Sequence, residues 1–218
     1  MNGPLVFDLE TGPPHGDPTP IPDDWLNRGV KDNFKADTIE RYQDANRDTW
    51  PREWRRRASL DWRVGRIVCA GIGDGATVTV LDAEDPTDEV TLVRAVWASI
   101  ANARPLAGFS IRTFDIPWLV GRSLVLGVVP SRILSNVPRW KTEALVDCHD
   151  LLSDRPVAGW GLAAYATLLG LPTQPIGTGA EVASWIEQGD FARVLEHCRA
   201  DITTTWHLYQ RCRAVYGV

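Results

Sequence analysis

After its first sixty residues the chain settles into regular alternations of apolar and polar positions; before that, only one short stretch is patterned. That stretch is Leu5-Val6-Phe7-Asp8-Leu9-Glu10, which ends at Thr11-Gly12 and reads as a short buried strand. Arg66–Gly73 (RIVCAGIG) and Ala76–Ala83 (ATVTVLDA) predict two more strands, joined by the hairpin signal Asp74-Gly75. Apolar residues at Val90, Val93, Val96, Trp97 and Ile100 follow the 3.6-residue period and predict a helix over Asp88–Ala101. Leu106–Phe109 is expected as a brief strand. A helix should begin near Phe114, with Thr113 as its cap and Pro117 in its first turn. Leu145–Leu152 (LVDCHDLL) reads as a further strand. Helices then follow over Leu162–Leu169, Glu181–Gln188 and Phe191–Tyr216, punctuated by Gly170 and Gly189. Strand, hairpin, helix, strand, helix, strand and helices in that order predict an α/β fold, a mixed sheet flanked by helices.

Residues 13–60 break this rhythm. Pro13, Pro14, Pro18, Pro20 and Pro22 exclude regular structure and stiffen the chain. Residues 23–62 are polar, charged and rich in Trp, without apolar periodicity, and one helix is expected around Ala36–Asn46. At 218 residues the chain fits one domain, or at most a domain plus a small appendage, and this segment reads as a long functional insertion.

Composition adds little to the fold and more to the chemistry. A hydrophobic fraction of 44% and a charged fraction of 23% are ordinary for a globular protein. No apolar run approaches the ~20 residues that span a bilayer, and the N-terminus lacks the pattern of a secretory leader, so a cytoplasmic protein with no membrane partner is expected. The four cysteines form no C-x-x-C pair, and three of them sit in apolar or helical patterns, where a free Cys is expected as a small hydrophobe. The net charge of −5 excludes a protein that coats nucleic acid indiscriminately, but it is unevenly spread. Residues 41–66 hold eight arginines against four acids, so that segment carries +4 and the remainder −9. Trp50, Trp54 and Trp62 interleave with these arginines. Trp54, Arg55, Arg56 and Arg57 are therefore candidates to hold a nucleic-acid strand by base stacking and phosphate contact. A Trp-anchored loop with solvated arginines is the competing reading.

Asp8 and Glu10 are two apart on a strand, so both side chains leave one face while Phe7 and Leu9 leave the other. Adjacent carboxylates repel unless a positive charge separates them, and a hard cation such as Mg²⁺ or Mn²⁺ suits oxygen ligands. A strand-end pair facing solvent is the alternative. Asp115 opens a helix, where it is either a ligand or compensates the helix dipole. Asp201 falls mid-helix, beside an apolar stripe of Val194, Leu195, Cys198, Ile202, Thr205, Trp206 and Tyr209. A carboxylate there is expensive without a partner, which is either a basic side chain or a metal ion.

Three ordered motifs carry a resemblance. They are Val6-Phe7-Asp8-Leu9-Glu10-Thr11, then Leu106-Ala107-Gly108-Phe109-Ser110-Ile111-Arg112-Thr113-Phe114-Asp115-Ile116-Pro117-Trp118-Leu119, then Leu195-Glu196-His197-Cys198-Arg199-Ala200-Asp201-Ile202. Together they resemble the DEDD exonucleases, and more closely the stand-alone proteins similar to the 3′→5′ exonuclease domain of family B DNA polymerases. The resemblance implies a ribonuclease H-like fold, with a mixed five-stranded sheet whose middle strand is antiparallel. It implies hydrolysis of phosphodiester bonds from a 3′ end by two Mg²⁺ or Mn²⁺ ions. Asp8 would bridge them, and Glu10, Asp115 and Asp201 would complete their shells. By the same resemblance Thr11, Phe109 and Ser110 face the nucleic acid, with Ser110 standing where relatives usually carry Asn. Single-stranded or frayed DNA is the favoured substrate. An exoribonuclease is the alternative, and a binding module with decayed catalysis is the alternative of another class. One branch of the family has Tyr four residues before the last Asp and another has His five before it. His197 combines that residue with the other branch's spacing, one helical turn from Asp201. It is the candidate to orient the attacking water and accept its proton.

Overall fold

The computed structural model describes residues 3–16, 18–83, 85, 87–152 and 160–218. Its centre is β1 (Leu5–Gly12), which alternates Val6 into one core and Phe7 and Leu9 into another. A strand buried on both faces belongs in the middle of a sheet. The sheet order is β3-β2-β1-β4-β5, with β2 (Arg66–Gly73), β3 (Val78–Asp82), β4 (Leu106–Gly108) and β5 (Leu145–Asp147). β1 pairs antiparallel with β2, from Val6 opposite Gly73 to Gly12 opposite Arg66. It pairs parallel with β4, which pairs parallel with β5, while β2 and β3 are antiparallel. This is the mixed five-stranded sheet that the resemblance implied, with one correction. The lone antiparallel strand is β2, whereas the spatial middle is β1.

Helices cover both faces. α3 (Glu89–Ile100) and α4 (Asp115–Leu126) pack on the Phe7 and Leu9 side, through Val93, Val96, Trp97 and Leu119. α8 (Phe191–Tyr216) crosses the Val6 side through Ile202, Leu208 and Tyr209, in the span that the apolar stripe predicts. α6 (Leu162–Leu168) and α7 (Gly179–Glu187) complete that layer. α7 starts two residues earlier than expected because Thr178 and Glu181 form a capping box. All four cysteines are buried and free. Among the described residues no helix is long and apolar enough to cross a membrane.

Four expectations are corrected. First, β3 begins at Val78 and not Ala76, because the Asp74 carboxylate accepts from the Ala76 and Thr77 amides at 3.0 and 2.8 Å and draws both into the turn. Second, Thr113 caps nothing: Phe114 precedes α4, and the Thr113 hydroxyl donates to the Ser110 carbonyl. Third, Leu145–Leu152 is not one strand. The Asp147 carboxylate accepts from the amides of His149 at 3.0 Å and Asp150 at 3.4 Å, so it ends β5 and starts α5 (Cys148–Leu152). Fourth, the insertion's helix, α2 (Ala36–Ala58), runs far past Asn46 and through Pro51, and a short α1 (Asp23–Leu26) precedes it. A mid-helix proline costs about 3 kcal/mol. Burial of Trp50 and Trp54 against Trp25 of α1 offsets it, and Glu53 pairs with Arg56 and Arg57 on the exposed side. An apolar stripe of Trp50, Trp54 and Ala58 was thus present after all.

Candidate active site

Asp8 and Glu10 project from β1 toward α8, on the Val6 face. Two glycines of β2 let that helix come close. A Cβ at Gly71 would lie 2.4 Å from Ile202 Cγ1, and one at Gly73 would lie 2.6 Å from Ile202 Cγ2. Gly71 is also the β-partner of Asp8, so the close approach sets Asp201 and His197 directly over the strand's acids. A bulge between Glu10 and Thr11 lies at the same point, where bulges re-aim side chains. Asp115 arrives from the first turn of α4. It is 2% exposed, and its Oδ1 accepts the Leu9 amide of β1 at 2.8 Å. The four acids and His197 line one cavity of about 430 Å³, together with Thr11, Phe109 and Ser110.

The electrostatics are those of an acid cluster short of positive charge. Burial pushes the Asp8 and Glu10 carboxyls well above the usual range, and the neighbouring carboxylates add to it. Burial raises Asp115 to about 7 against the lowering effect of the Leu9 amide. Burial also raises Asp201, with His197 opposing. His197 Nε2 lies 3.5 Å from Glu10 Oε1 and 3.7 Å from Asp201 Oδ2, and among the described residues no lysine or arginine pairs with any of the four acids. Donor atoms of Glu10, His197 and Asp201 lie within 4.8 Å of one another, as do those of Asp8, Glu10 and Cys198. An oxygen-rich set of this kind fits hard divalent cations.

Residues 61–218 match the model of a family described as a predicted 3′→5′ exonuclease related to the exonuclease domain of PolB. This chain belongs to that family. Asp115, His197 and Asp201 fall inside the matched region; Asp8, Glu10 and α2 precede it. Among solved structures the fold is similar to a family B DNA polymerase from the hyperthermophilic archaeon Pyrobaculum calidifontis, with a TM-score of 0.61 at 18% identity. The likeness covers 95% of this chain and 24% of the polymerase, so the chain spans about a quarter of that protein's length. No curated protein matches the chain in sequence.

The remaining sequence-predicted candidates of this chain divide. Trp54 is 7% exposed, enclosed with Trp25 and Trp50, and does not present its ring to the cavity. Arg56 lines the cavity while donating to Glu53, whose carboxyl the Arg56 and Arg57 hydrogen bonds lower to about 2. Arg57 stacks over Trp25 at 4.7 Å, and Arg55 faces Glu187 of α7 at 3.8 Å; neither lines this cavity. Three consecutive arginines therefore point to three different places.

Sequence reading missed the support behind Ser110. Ser110 sits at φ 58°, a left-handed conformation that Asn tolerates better than Ser. It is held there by Asp147, whose carboxylate accepts from the Ser110 and Arg112 amides at 3.0 Å each. The Ser110 hydroxyl shares a 2.8 Å hydrogen bond with His149 Nδ1, and the His149 ring stacks on Phe109 at 4.7 Å. Trp185 meets His197 edge-on at 5.5 Å and fixes its ring from behind. A polar pair such as Asp147 and His149 inside an apolar run was the available signal.

Proposed function

We propose that this chain is a metal-dependent 3′→5′ exonuclease acting on single-stranded or frayed DNA ends, with two Mg²⁺ or Mn²⁺ ions as cofactors. The observation that carries the proposal is the convergence of four carboxylates from β1, α4 and α8, with one imidazole, in a single cavity. Asp8, Glu10, Asp115 and Asp201 would hold the ions. When bound, such ions lower the pKa of a coordinated water and neutralise charge on the phosphate. His197 Nε2 lies 3.5 Å from Glu10 and 3.7 Å from Asp201, and would take the proton of the attacking water. Phe109, backed by His149, offers a ring for the terminal base. Ser110, locked by Asp147 and His149, offers its hydroxyl to the terminal nucleotide. Arg56 would meet the phosphate; Thr11 lines the same cavity with its hydroxyl proton already donated to Ser59.

Residues 13–60 belong to the same working unit in this reading. The Thr11 hydroxyl donates to the Ser59 carbonyl at 2.7 Å and ties the end of α2 to the strand that bears the acids. The test is digestion of 5′-labelled single-stranded DNA and RNA of one sequence with Mn²⁺. The expected result is a ladder shortening from the 3′ end, faster on DNA, and absent for Asp8→Ala and Asp201→Ala. Normal cleavage by either variant would remove the site assignment. Faster cleavage of RNA would make the enzyme an exoribonuclease.

A further inference from the structure

Next to the acid cavity lies a smaller one, of about 150 Å³. Gly179, His197 and Asp201 border both. Beyond it an outer groove of about 250 Å³ begins, and Thr173 and Thr204 border that groove and the small cavity alike. The three spaces follow one another along one face of α8, because His197, Asp201 and Thr204 stand at positions i, i+4 and i+7. The loop ahead of α7 supplies the opposite wall, with Thr173 and Thr178. The groove reaches the surface beside Glu196, Arg199 and Thr203, all exposed. A passage thus leads from the surface to two of the proposed site residues, away from the walls that α2 supplies to the acid cavity.

Thr204 and Thr173 mark where the two outer spaces meet. Thr204 is 3% exposed. Its neighbour Thr203 spends its hydroxyl on the Arg199 carbonyl, one turn back, at 3.0 Å. Thr204 does not: among the described residues its hydroxyl meets only the Thr173 hydroxyl, at 3.5 Å. An O–H···O bond is normally roughly 2.5–3.0 Å long. A buried hydroxyl held this loosely lacks a full partner, and two hydroxyls at such a separation suit a water that bonds to both. The small cavity has room for a few waters at roughly 30 Å³ each.

Hydrolysis of a phosphodiester consumes one water per bond. The water's oxygen joins phosphorus as the P–O3′ bond breaks; one of its protons ends on the released 3′ oxygen and the other passes to solvent. A strand whose 3′ end fills the acid cavity occupies the opening by which it entered, so fresh water needs a second way in. We infer that the passage past Thr173 and Thr204 is the water entrance of the site, supplying Asp201 and His197 while the strand stays in place. The inference rests on the exonuclease reading, since without hydrolysis there is no water to supply. Thr173 and Thr204 are positioning residues in it: they touch the water and not the phosphate.

The test compares single-turnover hydrolysis of a labelled oligothymidylate with that of the p-nitrophenyl ester of thymidine 5′-monophosphate, both in Mn²⁺. The ester brings no strand, so water reaches the acids through the open cavity. T204V and T173V keep the size of the side chain and remove its hydroxyl; T173V, in the loop, serves if T204V loses stability. Each should lower the rate on saturating oligonucleotide by about tenfold, the worth of one hydrogen bond, with half-saturation, Mn²⁺ stoichiometry and the ester rate unchanged. T204S should restore the wild-type rate. T205V removes a buried hydroxyl of α8 that borders none of the three spaces, and should match wild type. Equal losses on both substrates, no loss on the oligonucleotide, or the same loss in T205V would overturn the inference. Weaker oligonucleotide binding with the rate intact would also overturn it, by making the passage a track for the strand. Failure of the exonuclease reading shows separately, as no hydrolysis of either substrate by the wild type.

Discussion

Glu89 and Asp115 are both buried acids at the first turn of a helix on the same face of the sheet, and their surroundings differ in every respect that matters. Glu89 receives a two-pronged contact from Arg122, at 2.8 and 2.6 Å, and accepts the Ile67 amide at 2.8 Å. Arg122 in turn donates to the Trp62 carbonyl at 3.1 Å. This is a closed pair whose hydrogen bonds are spent within the fold, knitting α3, α4 and β2 together. Asp115 accepts the Leu9 amide and looks into a cavity that holds three more carboxylates, with which no arginine or lysine pairs among the described residues. A buried charge with its counter-charge supplied is architecture. A group of buried carboxyls without one is where we propose that cations bind.

The largest effect that would sharpen this comparison concerns His197, the basic group nearest the acid cluster. If it serves as proton acceptor, His197→Ala lowers turnover by about 10²–10⁴-fold at a temperature where the variant, short of one buried ring against Trp185, is still folded. His197→Tyr should recover part of the rate, since a hydroxyl at that spacing still orients the water. Rates from single-turnover digestion and melting by circular dichroism together decide it. Normal turnover with a large loss of stability would place His197 beside Arg122, as a structural counter-charge.

The paired region should show the reverse behaviour. Arg122→Ala strands Glu89 in the core and should destabilise the protein by about 3–5 kcal/mol in urea denaturation. At a temperature where the variant is still folded, its cation affinity should be normal. A neutral result would mean that the pair is looser than its distances imply.

Smaller, and specific to the open region, is the pH dependence of the metal-free protein. All four carboxyls are raised, first by burial, so the folded chain binds their protons more tightly than the unfolded one. That contribution to stability is fully present below the ordinary carboxylate range. It is lost as pH rises through the raised values, up to about 7 for Asp115. In EDTA, stability should therefore fall between about pH 4 and 7 by on the order of a few kcal/mol, less whatever other groups contribute. Saturating Mn²⁺ should flatten the slope by replacing the protons. Equal slopes with and without Mn²⁺ would contradict the proposed ligand set.

How much of this could be read from sequence follows the same division between pattern and partner. α8 was legible end to end because its buried stripe repeats at the helical period over the whole span, and Asp201 stood out against it. Asp8 and Glu10 were legible because a strand fixes which side chains share a face. The second half of α2 was not, since its stripe is carried by Trp50, Trp54 and Ala58 amid arginines and a proline. The end of β5 was not, because a side chain, Asp147, stops it, and an apolar run gives no warning of that. Ser110 was legible as a motif position, but its lock by Asp147 and His149 depends on contacts more than thirty residues away. The three arginines were legible as a charge run, while their three directions depend on what α2 packs against.

Calorimetric titration with Mn²⁺ at neutral pH, wild type against Asp8→Asn, tests most directly whether the open acids form a cation site. Asp8→Asn keeps the size of the side chain and removes the charge that both ions would share. The account predicts two equivalents of Mn²⁺ bound per wild-type chain, and loss of at least one in the variant. Absence of saturable binding in the wild type, or identical binding by Asp8→Asn, would contradict it.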